Sequence, residues 1–216
     1  MAEVLTGQSV LSQIELLKHQ IGVLLKGKTE GSLTIAITSC VAGEGVTTTA
    51  SNLAASFAQD SDVEVLLIDG NSECRGLERC LKQGKLPGVP RMPEDSCPTT
   101  WPLTRLDENL HVLSASKSKR RIEIDTFFSG VNGALDRAKE KYRVVILDCP
   151  PIPKMYSSLH LFEKVDGVIV VIEAERVRSE VIENNLTILK DAGADILGCV
   201  LNKRRFPVPK FIYRRL

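Results

Sequence analysis

The fold of this chain is decided by residues 33–51, LTIAITSCVAGEGVTTTAS. The first seven of these residues are mostly apolar or β-branched and predict a buried strand, and the run that starts at residue 47 predicts a helix. Gly43 and Gly45 allow backbone N–H groups to approach an anion closely, and the start of a helix adds partial positive charge. A strand, a glycine loop and a helix in this order predict a phosphate-binding loop.

Short apolar runs alternate with helical patterns along the rest of the chain. Further strands are predicted at 63–69, 109–115, 143–148, 166–174 and 194–202. Helices are predicted at 10–25, 47–60, 75–83, 124–142, 156–164 and 176–192. Because apolar strands separated by helices indicate a parallel sheet covered on both faces, we expect an α/β fold with a doubly wound, mostly parallel sheet. Ligands of such sheets bind at the carboxyl ends of the strands.

Length and composition exclude several classes of protein. The 216 residues are 43% hydrophobic and 25% charged, which predicts a single domain over 1–216 and excludes disordered, collagen-like and coiled-coil chains. Neither a long apolar run nor a signal-peptide pattern is present, so we expect no membrane span and no secretion. The 28 basic and 27 acidic residues argue against a surface that coats nucleic acid.

The six cysteines predict a reducing compartment and no metal site. None of them forms a CxxC pair, and no histidine lies near a cysteine pair at zinc-binding spacing. Cys149 and Cys199 lie within apolar runs and are expected to be small buried residues. We therefore expect a cytoplasmic protein.

One stretch, residues 84–109, lacks the regular pattern. It contains five of the ten prolines and few regularly spaced apolar residues. We expect an irregular insertion there, and long loops of this kind are frequently functional.

The loop departs from the usual phosphate-loop pattern, G-x-x-x-x-G-K-[ST], at its lysine. Aligned on Gly45, Thr47 takes the Mg²⁺-binding hydroxyl position, Cys40 the first glycine position and Val46 the lysine position. That lysine supplies a charge to the phosphates, and one charge pair at about 4 Å is worth about 4 kcal/mol at an effective dielectric constant of about 20. No other Lys or Arg lies between residues 39 and 59. We therefore expect weakened triphosphate binding or, alternatively, a β–α turn that binds no ligand.

Two aspartates at predicted strand ends favour nucleotide binding. Asp69 ends the strand 63–69 and Asp148 ends the strand 143–148. Carboxylates at these places hold Mg²⁺ or its water shell in phosphate-loop proteins, although either one alone could be a strand-end cap. A dinucleotide-binding loop, with Asp69 on the ribose, is the weaker alternative because the third glycine of its pattern is replaced by Thr48.

These motifs together resemble those of the bacterial tyrosine kinases of capsule and exopolysaccharide synthesis. That family stands with the partition and septum-positioning ATPases among the deviant Walker P-loop proteins. The resemblance runs from about Gln13 to Asn202 and is carried by TSCVAGEGVTTTASNLAASFA, VEVLLIDGNSECRG, RVVILDCPPI and ILGCVLNKRR. It implies a P-loop NTPase fold, with ATP or ADP and Mg²⁺ as cofactors.

The resemblance also implies roles for particular residues and partners. Asn202 stands at the position that contacts the adenine base. The nucleotide-binding residues implied in the loop are Gly43, Glu44, Gly45, Val46, Thr47 and Thr48. Asp69 and Asp148 are implied as catalytic residues and, with Thr47, as Mg²⁺ ligands. The implied partners are the cytoplasmic segment of an integral membrane polysaccharide co-polymerase and further copies of the chain.

Several family positions are changed in this chain. The Walker A lysine is Val46, and the second family motif has Asn71 for its second aspartate and Glu73 for its arginine. The oligomerisation pattern Glu-x-x-Arg-x-x-Arg becomes Glu15, Lys18 and Ile21, and Tyr213 alone stands in place of the C-terminal tyrosine cluster. The fold therefore carries over to this chain, whereas kinase activity does not follow from the resemblance.

Three functions remain open from the sequence. The first is a degenerate kinase-like protein that binds nucleotide weakly or not at all and acts through partners in exopolysaccharide assembly. The second is an active ATP-dependent tyrosine kinase in which a neighbouring subunit supplies the missing positive charge. The third is a partition-type ATPase, which is disfavoured because Val41 stands where that group has its signature lysine.

The C-terminal residues 203–216, KRRFPVPKFIYRRL, contain six basic and no acidic residues. Such a segment fits an anionic surface at the inner face of the plasma membrane or the cytoplasmic part of a membrane partner. It could also pack its aromatic residues on its own domain and leave its charges solvated. Nucleic acid is a weaker fourth alternative.

Overall fold

A computed structural model describes residues 8–27, 31–70, 76–80, 103–113, 135 and 137–203. The α-helices are α1 (Gln8–Gly27), α2 (Val46–Ala58), α3 (Gly76–Cys80) and α4 (Ser179–Asp191), and 3₁₀ helices cover Ile152–Lys154 and Tyr156–Lys164. The strands are β1 (Leu33–Ser39), β2 (Val65–Asp69), β3 (Thr104–Asp107), β4 (Leu110–Leu113), β5 (Val144–Asp148), β6 (Gly167–Glu173) and β7 (Ile196–Asn202).

The strands form one sheet in the order β3-β4-β2-β5-β1-β6-β7. All neighbouring strands are parallel except β3 and β4, which are antiparallel. Strands β2, β4 and β3 lie on one side of the neighbouring pair β5 and β1, and strands β6 and β7 lie on the other side. The direction in which the chain adds strands to the sheet therefore reverses between β5 and β1. The doubly wound, mostly parallel α/β fold is therefore confirmed, and the crevice at this reversal point is where such sheets bind ligands.

The central strands are apolar throughout because both of their faces are covered. On β5, Val145 and Leu147 belong to one apolar cluster, and Val144 and Ile146 belong to a second cluster on the other face. Since successive side chains of a strand point to opposite faces, such a strand needs apolar residues at every position.

Helix α1 packs on α2 through polar as well as apolar contacts. The Oγ of Ser56 donates a hydrogen bond to Glu15 Oε1 at 2.6 Å. The Nζ of Lys18 donates to the Ser56 carbonyl oxygen at 2.7 Å and forms an ion pair with Asp60 at 2.8 Å. Ile21 is buried in the same contact. Three of the positions that carry the family oligomerisation pattern are thus used within this chain.

The structure corrects several expectations about the elements. Strand β3 lies within the stretch 84–109 that was expected to be irregular, and the rest of that stretch up to residue 102 lies outside the described residues. Of the helix expected at 124–142, the described part is helical at 135 and 137–141. The helix expected at 156–164 is a 3₁₀ helix. In the part of the chain with described structure, no helix is long and apolar enough to cross a membrane.

Candidate functional site

The loop between β1 and α2 depends on two glycines in a left-handed conformation. Gly43 has φ 87° and Gly45 has φ 100°, values that residues with a side chain rarely adopt. A Cβ atom at Gly45 would also clash with the side-chain amide of Asn202. The glycine pattern of the sequence therefore reflects both the path of the loop and the close approach of β7.

The side chain of Glu44 holds the loop from inside the protein. Its side chain is buried, and its two carboxylate oxygens accept hydrogen bonds from the backbone N–H of Val41 at 2.8 Å and of Glu173 at 2.9 Å. Its carbonyl oxygen accepts a hydrogen bond from Asn202 Nδ2 at 2.7 Å. Glu44 thus fastens the loop to the ends of β6 and β7.

Val46 is the first residue of α2 and is 7% exposed. Its side chain belongs to the apolar cluster that contains Ile35, Ile37 and Leu53. Gly45 is the N-cap residue of α2 and provides no side-chain capping hydrogen bond. The position of the usual lysine therefore adds to the core, while the N-cap residue leaves the backbone N–H groups at the helix start uncapped.

A cavity of about 210 Å³ lies against this loop. Its walls include Gly43, Gly45, Val46, Thr47 and Thr48 from the loop and helix, together with Cys149, Pro151 and Lys154 from the segment after β5. Of the described residues that line it, Lys154 alone carries a charge. The loop has no basic residue nearby in sequence, but the fold brings Lys154 to it from more than 100 residues away.

Thr47 and Thr48 connect the start of α2 with α3. A Cβ atom at Gly76, the first residue of α3, would lie 2.8 Å from Thr47 Oγ1. The hydroxyl group of Thr48 lies 3.8 Å from Cys80 Sγ, at the end of the same helix. Both threonines therefore lie where α2, α3 and the cavity meet.

The two predicted carboxylates lie next to each other at the carboxyl ends of β2 and β5. Asp69 and Asp148 are paired in the sheet register and are 3% and 0% exposed. Burial, and then the charge of Asp69, raise the pKa of Asp148 well above its usual value, and the Thr47 side chain counteracts part of the rise. No group among the described residues meets hydrogen-bonding geometry with either carboxylate oxygen of Asp148. Two ionised carboxylates buried side by side repel each other, and a divalent cation bound between them would offset this repulsion.

Three charged residues meet at the outer side of the loop, in a cluster that the sequence did not predict. Glu173 Oε2 lies 2.7 Å from Arg176 Nη1 and 3.1 Å from Lys203 Nζ, and these hydrogen bonds hold the pKa of Glu173 below its usual value. Lys203 Nζ also donates to the carbonyl oxygen of Gly43 at 2.6 Å. Lys203 has φ 54°, and Asn202 Oδ1 accepts a hydrogen bond from its backbone N–H. No sequence motif marks this cluster, because its members meet only through the ends of β6 and β7.

The cysteines differ from expectation at one position. Cys149 is buried, as predicted, and burial raises the pKa of its thiol. Cys199 is exposed, because β7 is the last strand of the sheet and has a neighbour on one side only. Burial raises the pKa of Cys40 to about 11, so this thiol beside the loop is not an activated nucleophile. Where side chains are described, no three His, Cys, Asp or Glu residues cluster as they do in a metal site.

Known proteins resemble this chain in sequence and in fold. The tyrosine-protein kinase CpsD of Streptococcus pneumoniae serotype 4 is 27% identical over 179 residues, which are 82% of this chain and 78% of that protein. The kinase domain of the Escherichia coli tyrosine kinase ETK aligns with a TM-score of 0.74 over 92% of this chain and 78% of its own, at 19% identity. No protein-family model matches the chain.

A further structural neighbour is a nucleotide-bound enzyme. The cobyrinic acid a,c-diamide synthase of Mycobacterium smegmatis, with bound ATP analogue and magnesium, aligns with a TM-score of 0.60 at 23% identity. The alignment covers 79% of this chain and 74% of that enzyme. The P-loop NTPase fold and the resemblance to the bacterial tyrosine kinases, both expected from the motifs, are confirmed by these comparisons.

Proposed function

We propose that this relative of the bacterial tyrosine kinases is a degenerate P-loop protein of capsule or exopolysaccharide biosynthesis. It binds ATP or ADP weakly or not at all and acts through protein or membrane partners. The observation that carries the proposal is Val46, an apolar residue packed into the core at the position that usually carries a lysine. Without that charge the loop loses its main means of stabilising the transferred phosphoryl group.

The carboxylate pair fits a Mg²⁺ ion. Asp148 has two buried oxygens without a partner among the described groups, and Asp69 lies beside it. Asp69, Asp148 and the hydroxyl of Thr47 would hold the ion, with water and phosphate oxygens completing its coordination. When bound, Mg²⁺ would neutralise charge on the phosphate chain.

The remaining parts of a bound nucleotide would contact the loop and the end of β7. The backbone of Gly43, Gly45 and the first residues of α2 would surround the phosphates. Asn202, whose Nδ2 donates to the Glu44 carbonyl oxygen, would contact the base as the family resemblance implies. Asp69 and Asp148 are retained, but Asn71, which lies outside the described residues, replaces the second aspartate that active family members use. Phosphoryl transfer is therefore expected to be lost before nucleotide binding is lost.

The partners are proposed on the same grounds. The family works with the cytoplasmic segment of an integral membrane polysaccharide co-polymerase, and we propose this partner for the chain. A homo-oligomer of the family kind is less favoured, since Glu15 and Lys18 bind α2 within the chain. The basic segment 203–216 is proposed to bind that partner or an anionic membrane. Lys203 is held at the loop, so a test of the segment should remove residues 204–216 and keep Lys203.

One titration separates this proposal from an active kinase. The purified chain is titrated with a fluorescent ATP analogue and Mg²⁺, and phosphotyrosine is measured after incubation with ATP. We expect affinity weaker than micromolar and no phosphotyrosine. Micromolar binding together with phosphotyrosine would overturn the proposal in favour of an active kinase, the second candidate that the retained Asp69 and Asp148 favour.

A further inference from the structure

The cavity beside the loop contains a charged side chain that the function above does not use. Lys154 is exposed, ends the 3₁₀ helix Ile152–Lys154 and lines the cavity together with Gly43, Gly45 and Thr47. The sequence carries this lysine six residues after Asp148, beyond the motif that resembles the family. The lysine thus reaches the loop from the β5 side of the reversal point.

The backbone before Lys154 is held firmly in place. The Thr38 hydroxyl donates to the Pro150 carbonyl oxygen at 2.7 Å, and Lys154 N–H donates to the Pro151 carbonyl oxygen at 2.8 Å. Ile152 and Met155, on either side of Lys154, are fully buried. Three prolines in the run Pro150-Pro151-Ile152-Pro153 restrict the backbone further. The backbone that carries Lys154 is therefore already fixed beside the cavity, which lowers the ordering cost of binding an anion.

Two further described cations near the loop, Arg176 and Lys203, do not line the cavity. Both contact Glu173, and Lys203 also donates to the carbonyl oxygen of Gly43. Among the described residues, Lys154 is therefore the basic residue that lines the cavity where the loop would hold an anion.

We propose that Lys154 supplies the positive charge of the missing lysine and binds the diphosphate group of a nucleotide in the loop cavity. The inference rests on the proposed function, in that it assumes that the loop still binds phosphate. The start of α2 and the loop N–H groups would contact the phosphates from one side. The ammonium group of Lys154, on its flexible four-carbon stem, would contact them from the segment after β5.

Calorimetric titrations with ADP and with inorganic pyrophosphate, each with Mg²⁺, test this role. Lys154→Ala should weaken the binding of both by about tenfold or more, because a hydrogen bond to a charged group is lost. Lys154→Arg should retain most of the affinity. Lys164→Ala is the matched control: this lysine is also exposed, ends the second 3₁₀ helix and does not line the cavity. Loss of ADP affinity with unchanged pyrophosphate affinity would place the effect on the nucleoside and overturn the inference.

A double variant gives a second readout. Val46→Lys should restore the affinity that Lys154→Ala removes, and the two substitutions should be strongly non-additive because both charges address the same phosphates. Equal affinities for the wild type and Lys154→Ala, or no binding to the wild type at millimolar concentrations, would overturn the inference. The proposed function has a separate failure, the formation of phosphotyrosine by the wild type.

Discussion

The carboxylate side and the loop side of the candidate site differ in how closely they match the residue pattern of P-loop proteins. At the strand ends, Asp69 and Asp148 remain side by side, buried and suited to a cation. In the loop, the glycine conformations remain, but the lysine position is filled by a valine that belongs to the core. The difference teaches that two carboxylates placed by neighbouring strands and a charge supplied by one side chain can vary independently of each other.

The largest effect is expected from Asp148→Asn, which breaks the carboxylate side. Removing this charge should abolish the dependence of ADP binding on Mg²⁺, because the central carboxylate ligand is lost. Titrations of ADP with Mg²⁺ and with EDTA measure the effect. Asp195→Asn, at an exposed aspartate ahead of β7, is the control and should leave the dependence intact. An unchanged Mg²⁺ dependence in Asp148→Asn would remove Asp148 from the metal site.

Asp148→Asn should weaken Mg²⁺-dependent binding but raise the stability of the metal-free protein at neutral pH. Since the pKa of Asp148 is raised in the folded state, metal-free stability should fall as the pH rises above about 4, the unfolded pKa, towards the raised folded pKa. Each pKa unit of the shift corresponds to about 1.4 kcal/mol. Asp148→Asn should remove this pH-dependent fall in the free energy of unfolding, which urea unfolding in EDTA at pH 5 and pH 8 would measure. The prediction would be wrong if the wild type were equally stable at both pH values and the variant were no more stable than the wild type.

Gly45→Ala breaks the loop side and is the next largest effect. The substitution forces a side chain into a left-handed conformation and against the Asn202 amide, at a cost of about 1–3 kcal/mol. We expect lower stability by urea unfolding and loss of ADP binding by calorimetry. Gly22→Ala in α1, where a Cβ meets no atom within 4 Å, should instead stabilise the protein by about 0.5–1 kcal/mol. Normal ADP affinity in Gly45→Ala would show that the loop path is not needed for binding.

Val46→Lys sharpens the comparison by returning the missing charge. We expect ADP affinity to rise about tenfold, because a charge–phosphate contact is worth about 1.5–3 kcal/mol. Stability should fall by about 1–2 kcal/mol through the loss of a buried apolar side chain. Val46→Met, which is similarly long but uncharged, separates charge from size. If calorimetry shows no gain for Val46→Lys, the alignment of the loop on Gly45 is wrong.

The smallest effect is expected from Arg176→Ala. Its guanidinium is exposed and already paired with Glu173, so ADP affinity should change less than about twofold. The pKa of Glu173 should rise towards its usual value because its first hydrogen-bond donor is removed. An NMR titration of Glu173 measures the pKa, and calorimetry measures the affinity. A large loss of ADP affinity would indicate that Arg176, at the outer side of the loop, binds the phosphates in place of Lys154.

The sequence predicted the parts of the molecule that follow from local pattern. The bounds of β1 were found without error, since seven buried residues run directly into a glycine loop. Strand β3 was missed because only four residues form it, with every second side chain exposed, inside a proline-rich stretch. The exposure of Cys199 was missed because an apolar run does not tell an edge strand from a central one.

Within the candidate site, the sequence predicted the groups but not their relations. Asp69 and Asp148 were found from their places at strand ends, but the pairing of β2 with β5, which makes them neighbours, is a long-range property. Glu44 was predicted to bind nucleotide from the family pattern, and the pattern did not indicate that its carboxylate accepts hydrogen bonds from backbone N–H groups of Val41 and Glu173. Lys154 had no motif to mark it.

The buried side chain of Glu44 has a consequence for how such a protein can change over generations. The Glu44 carboxylate fastens the loop to β6 through a hydrogen bond within the protein, which does not require a ligand. A substitution that removes a phosphate-binding side chain, such as valine for lysine, would then leave the structure of the loop unchanged. Under the proposed function, the fold would persist without phosphoryl transfer, and its surface would remain available for selection towards another task.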